Sequence, residues 1–269
     1  MLSNLSLKLD QFYTNEKISK NCIDFLKKNI NNFHSYFFIE PSAGTGSFFN
    51  NLDTNHKLGF DLDPKSLNIL LLDFFDFNTL NFSHVIQNKP IITVGNPPFG
   101  KNSSLALKFL NKASEFSDFV AFILPKTFKK QSFINKVSPP LHLIAELDLP
   151  VNSFIFNDTP YDVPCVFQIW QKKSEPRHIL NLSKSHPDFE FTDKQNADFA
   201  IRRVGVLAGK VITDFQSYSE QSHYYIKSHI PIHLLIQKLT SISWDSVKYN
   251  TAGNPSISKS ELIQLYSKI

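Results

Sequence analysis

The residues of this chain most able to do chemistry together are Asn96-Pro97-Pro98-Phe99, between Gly95 and Gly100. An exocyclic amino group on an aromatic ring is a poor nucleophile because its lone pair is delocalised. Two acceptors set against its N–H bonds favour a pyramidal, more reactive nitrogen, and the Asn96 side-chain carbonyl and the Pro97 backbone carbonyl are suited to be those acceptors. Pro97 and Pro98 restrict the backbone so that both oxygens face one way, and Phe99 offers a ring face on which a planar group stacks. The segment reads as a clamp for a planar amine.

The same residues allow two other readings. Asn-Pro-Pro alone is a common turn after a strand. Gly95, Gly100 and Lys101 also approach the spacing of a phosphate-binding loop, but Asn102 stands where Ser or Thr should meet magnesium, and Pro97 and Pro98 remove two N–H donors from the cradle.

A second constellation precedes the clamp. Glu40-Pro41-Ser42-Ala43-Gly44-Thr45-Gly46-Ser47-Phe48 places an acid before a small, glycine-containing turn that lets backbone approach a ligand. A phosphate loop needs positive potential here, so Glu40 suits an ammonium or sulfonium charge instead. Asp61 follows Gly44 by seventeen positions, near the spacing at which a carboxylate grips ribose hydroxyls in nucleotide-binding α/β folds. Asp63-Pro64 reads as an N-cap with proline in the first helical turn. Asp73 can accept from a purine amino group while Phe74 packs on the ring, or can serve simply as a cap. Phe12-Tyr13-Thr14 either packs as ordinary aromatics or folds back over a ligand held by the glycine turn.

Strands must position these groups. Tyr36–Ile39, Lys57–Pro64, Leu70–Phe75 and Ile91–Val94 read as four strands whose carboxyl ends carry Glu40, Asp61, Asp73 and Asn96, with a helix through Phe49 and Leu52 after the first. A helix over Ser103–Ala113 and strands at Phe119–Leu124, Leu141–Leu147 and Val163–Trp170 follow, the last as half of a hairpin because Asn157-Asp158-Thr159-Pro160 is turn-rich. This is an α/β, mostly parallel arrangement, with ligands expected at the carboxyl edge. Residues 1–171 form the expected catalytic domain, Lys172-Lys173-Ser174-Glu175-Pro176 a linker, and 172–269 a small appendage with no repeat or strong period.

With 269 residues and 42% hydrophobic content the chain is globular. A net charge of +4 permits a nucleic-acid partner without requiring one, and the only arginines are Arg177, Arg202 and Arg203. Cys22 and Cys165 are too few for a disulfide scaffold or a zinc site, so no metal is expected. No secretory signal and no apolar run near the ~20 residues of a membrane helix are seen, which gives an expectation of a cytoplasmic protein away from membranes.

Taken in order, Phe12-Tyr13-Thr14, Glu40 to Phe48, Gly59 to Pro64, Asp73-Phe74 and Asn96 to Phe99 resemble the S-adenosylmethionine-dependent amino-methyltransferases that modify adenine in DNA, in the motif order called the gamma class. The resemblance covers roughly the first two thirds of the chain. It implies a Rossmann-like class I methyltransferase sheet with one antiparallel strand. It implies S-adenosyl-L-methionine contacts from Phe12, Tyr13, Thr14, Glu40, Pro41, Ser42, Ala43, Gly44, Thr45, Gly46, Asp61, Leu62, Asp73, Phe74 and Asn96, and catalysis at Asn96, Pro97, Pro98 and Phe99. Either Phe156 or Tyr161 would face the far side of a flipped base, and Lys126, with Lys129 and Lys130, would meet phosphates unless these lysines only solvate a loop. The implied activity is methyl transfer to adenine N6 in DNA, with a target-recognition role for 172–269 and a partner nuclease or recognition subunit as in restriction-modification. RNA adenine, cytosine N4, a protein glutamine amide and a non-catalytic binding subunit stay open, because the clamp does not read sugar or strand.

Overall fold

The computed structural model describes residues 12–156 and 159–269. They fall into two compact units, the first ending at Ile179 and the second spanning Leu180–Ile269. The first contains β1 (Tyr13–Thr14), α1 (Glu16–Asn29), β2 (Phe37–Pro41), β3 (Lys57–Asp61), β4 (Leu70–Leu71), β5 (Ile91–Gly95), α2 (Ser104–Ala113), β6 (Phe119–Pro125), β7 (Leu141–Asp148), β8 (Phe154–Phe156), β9 (Thr159–Tyr161) and β10 (Cys165–Lys172).

Seven strands form one sheet in the order β4-β3-β2-β5-β6-β10-β7. All are parallel except β10, which runs antiparallel to both neighbours. The fold is therefore a Rossmann-like, doubly wound α/β sheet whose strand order reverses between β2 and β5. At that reversal the two flanking connections leave in opposite directions and open a crevice.

The central strands are predominantly apolar because both faces are covered, with Glu40, Thr93 and Gln168 as buried polar exceptions. Phe38, Ile92, Val94, Ala121 and Ile123 pack with Ile18, Cys22, Ile23 and Leu26 of α1. Phe37, Ile39, Val120, Phe122 and Leu124 pack on the other face with Ala106, Phe109, Leu110 and Ala113 of α2. Alternate residues of each strand serve opposite faces, as a period of two requires.

Several local expectations are corrected. The helix through Phe49 and Leu52 is a single 3-10 turn, Phe49–Asn51. The third strand stops at Leu71; Asp73 accepts from Phe75 N (2.9 Å) and caps a 3-10 turn, Phe74–Asp76. Local side-chain capping and burial of Phe74 and Phe77 against Phe60 and Phe109 outcompete strand extension there. Asp63-Pro64 starts no helix: residues 62–69 form turns, and Asp63 pairs with Lys65. The strand of Cys165–Lys172 is no half of a hairpin with the preceding stretch: β8 pairs with β9, whereas β10 pairs with β6 and β7; residues 157 and 158 lie outside the described residues. The expected linker is held to the first unit. Lys172 ends β10, and Arg177 N and Nε donate to the carbonyls of Pro139 and Leu141.

The second unit has its own core. Strands β11 (Phe189–Thr192), β12 (Phe199–Arg202), β13 (Val211–Ile212) and β14 (His223–Ser228) form an antiparallel sheet, β11-β14-β12-β13. Helices α3 (Ile232–Ser241) and α4 (Lys259–Tyr266) bring Leu235, Leu239, Leu262 and Tyr266 against Phe189, Phe199 and Ile226. A capping box between Ser258 and Glu261 fixes the start of α4. Among the described residues no helix is long and apolar enough to cross a membrane.

Candidate active site

The carboxyl ends of β2, β3 and β5 open onto a cavity of about 410 Å³, a size that suits an organic ligand larger than a few atoms. Glu40 is only 3% exposed. Its carboxyl accepts from Phe48 N (3.3 Å) and Phe49 N (2.6 Å), which holds the turn after the glycines against β2. Burial pushes this carboxyl up to about 8, against the opposing pull of the two N–H donors.

Past Glu40 the backbone turns sharply, with Ser42 (φ 54°) and Gly44 (φ 53°) in the left-handed region. Such a conformation is costly for serine and cheap for glycine. A side chain on Gly44 would place its Cβ 3.0 Å from Tyr13 Cε1, so the tyrosine ring lies directly on the glycine. Asp61 ties the second strand to this turn: its Oδ2 accepts from Gly44 N (2.7 Å) and its Oδ1 from Asp63 N (2.8 Å). Ser47 Oγ donates to the Thr14 carbonyl (3.0 Å), closing the N-terminal segment over the turn.

Asn96 follows β5 and stands on the wall of the same cavity. Its Nδ2 donates to the Phe12 carbonyl (3.1 Å), and its Oδ1 is buried without a partner among the described residues. An unmet buried acceptor is unfavourable, so one that persists beside a cavity marks where a donor is to be received. Phe99 sits edge-on to Phe154 (centroids 6.4 Å apart), and its carbonyl accepts from Leu105 N and Ala106 N at the start of α2. That anchors the clamp to a helix.

No family model and no curated protein matches this chain. Among solved structures it is similar to a candidate RNA methyltransferase of Pyrococcus horikoshii, at 17% identity over 61% of this chain and 87% of that one, with a TM-score of 0.45. It is similar to the Thermoplasma acidophilum 1320 structure at 16% identity over 60% of this chain and 96% of that one (TM-score 0.37). The M protein of the type I restriction enzyme EcoKI gives 15% identity over 96% of this chain and 71% of that chain, at a TM-score of 0.40. What the cavity binds is therefore read from its own residues.

The expected residues divide in a physically sensible way. Phe12, Tyr13, Thr14, Glu40, Ser42, Ala43, Gly44, Asp61, Leu62, Asp73, Phe74, Asn96 and Pro98 share the cavity. Pro41, Gly46 and Pro97 are buried in the backbone that shapes it, and Thr45 is exposed behind the turn. Phe74 has almost all of its surface inside the aromatic core, whereas its exposed neighbour Phe75 also reaches the cavity. Leu72, Leu105 and Phe109 add apolar wall that the motifs do not single out; the helical spacing of Leu105 and Phe109 was the available signal.

Phe156 and Tyr161 meet on the β8–β9 hairpin and both touch Phe12. Tyr161 stacks on Phe12 (centroids 4.8 Å apart, planes 4° apart), and Phe156 is tilted against it at 5.5 Å. Lys126 lies 3.6 Å from Asp148, and Lys129 pairs with Glu146 and Asp148, so these two cations are partly neutralised by β7. Among the described residues no group of three or more His, Cys, Asp or Glu side chains is placed to hold a metal ion.

Proposed function

We propose that the first unit binds S-adenosyl-L-methionine and transfers its methyl group to the N6 amino group of adenine in DNA. The observation that carries this reading is the buried, unpartnered Asn96 Oδ1 on the wall of a cavity whose floor is the Gly44 turn and Asp61.

The cavity fits the cofactor by its charge and shape. Two carboxylates, Asp61 and Asp73, and the buried carboxyl of Glu40, which ionises when a cation enters, line it against one lysine, Lys101, which favours a cationic nucleoside over a polyphosphate. A Cβ on Gly44 would crowd Tyr13 at 3.0 Å, so a ligand beside the aromatic ring would face bare backbone. When bound, S-adenosylmethionine supplies a methyl carbon made electrophilic by the sulfonium. Asp61 would hold the ribose hydroxyls, Asp73 the purine amino group, and Leu62, Leu72, Phe75 and Phe109 the apolar faces.

On the acceptor side, Asn96 Oδ1 and the Pro97 carbonyl would receive the two N–H bonds of the amine and keep its lone pair aimed into the cavity. An adenine in a duplex must leave the stack to reach them. The second unit, with Arg202, Arg203 and Lys210, is proposed to contribute target recognition, and a partner nuclease or recognition subunit would complete a restriction-modification system.

One experiment tests both the donor and the acceptor. Protein and labelled S-adenosylmethionine are incubated with duplex DNA, single-stranded DNA, structured RNA and total protein, and the product is identified by mass spectrometry. N6-methyladenine in the DNA arms, lost in Asn96→Ala with cofactor binding retained, is expected. Label in RNA, at cytosine N4 or on glutamine would reassign the substrate, and full turnover by Asn96→Ala would remove Asn96 from the chemistry.

A further inference from the structure

Asn96 can present its carbonyl oxygen to a substrate only if something else holds its NH2 group. That partner is the backbone carbonyl of Phe12, 3.1 Å from Nδ2 and 84 positions away in the chain. A carbonyl only accepts, so the opposite orientation of the amide would set two oxygens against each other. The amide is thereby fixed with Oδ1 free.

Phe12 is itself held from two directions. Its ring lies flat on Tyr161. The strand that follows is paired with β8, Tyr13 opposite Ile155 and Thr14 opposite Phe154, and Asn15 N donates to Ser153 O (3.1 Å). Two of these residues close over the glycine turn, through Tyr13 on Gly44 and Ser47 on Thr14.

We propose that Phe12 is a positioning residue: its carbonyl, held by the Tyr161 stack and the β1–β8 pairing, sets the Asn96 amide and so couples the cover of the glycine turn to the acceptor clamp. The inference rests on the function proposed above for Asn96, but its geometry can be read without turnover. Covering the turn and orienting the clamp are then one event, which predicts that cofactor binding precedes productive entry of the amine.

The test uses the full chain labelled with 15N at asparagine side chains, the Asn96 signal being assigned by its loss in Asn96→Asp. In the free protein the Asn96 amide protons are expected to exchange roughly tenfold more slowly than those of exposed asparagines. Phe12→Ala should erase that protection and Phe12→Tyr, which keeps the ring, should restore it. In parallel, kcat at saturating cofactor should fall by up to about 10²-fold in Phe12→Ala and recover in Phe12→Tyr, as misplacement of a reacting group costs rate and not only affinity. An unprotected Asn96 amide, or the same protection in Phe12→Ala, overturns the proposal. So does a Phe12→Ala enzyme that binds cofactor more weakly but turns over normally once saturated. Loss of the proposed function shows differently: no methyl transfer to any acceptor, with the Asn96 amide still protected in a Phe12-dependent way.

Discussion

If Glu40 lies beside a cationic ligand, binding must release a proton. In the free protein its carboxyl is buried and pushed from its ordinary 4.5 up to about 8, so at pH 7 about nine molecules in ten carry the proton. A sulfonium or ammonium group in the cavity favours the ionised form and pulls the carboxyl back down. Between pH 6 and 8 the ionised fraction of the free protein rises from about one in a hundred to about one half, so the Kd for S-adenosylmethionine should tighten by roughly 50-fold. Calorimetry in buffers of different ionisation enthalpy should find about 0.9 proton released per site at pH 7 and about 0.5 at pH 8. The ligand's own α-amino group titrates near pH 8, and Glu40→Gln supplies that baseline, with proton release at pH 7 close to zero. The folded value lies above the unfolded one. Stability from this group is therefore complete below about 4.5 and is lost as pH rises through about 8, a loss that Glu40→Gln should abolish. Identical proton release at pH 7 by the two proteins would refute the reasoning.

Four further expectations concern packing and the cavity wall. Gly44→Ala forces a left-handed alanine against Tyr13 and should cost about 1–2 kcal/mol in denaturant unfolding while weakening the S-adenosylmethionine Kd at least tenfold. Phe74→Ala should destabilise by about 3–5 kcal/mol because Phe74 is buried among Phe60, Phe109 and Phe116. Phe75→Ala, at an exposed cavity wall, should lower cofactor affinity with stability changed by less than about 1 kcal/mol. Gly209 has φ 98°, and a Cβ there would fall 2.2 Å from Trp244, so Gly209→Ala should lower the melting of the second unit while cofactor binding by the first persists; one unfolding transition shifted as a whole would speak against independent units.

The parts of the fold that sequence discloses are those whose cause is local. Phe119–Leu124 reads as a buried strand because every residue is apolar, and Ile91–Val94 because three β-branched aliphatics surround one threonine; both are buried. The acids at strand ends were visible because Glu40 and Asp61 stand at characteristic distances from the glycines. Where a side chain decides between competing local structures, the pattern misleads: Asp73 caps a turn where Leu70–Phe75 reads as a strand. The bond from Asn96 to Phe12 and the closure of Phe12 on Tyr161 depend on strand pairing across the whole unit, which no spacing records. The second unit was opaque for a related reason, since its strands are short and its core is assembled from residues as far apart as Phe189 and Tyr266.

The connection over residues 62–69 reaches β4 without a helix, and β4 is a two-residue edge strand whose leucines are exposed. Opposite it, Glu40 and Asn96 hang from central strands packed on both sides. Opening energies in a native protein run from almost nothing at such margins to the full unfolding energy at the centre. Ligand traffic should accordingly pass along the Leu62 and Phe75 flank, where amide hydrogens exchange first, while the clamp stays in register. On the proposed function, the reactive geometry would rest on rigid ground and exchange of the small molecule would fall to the softest border.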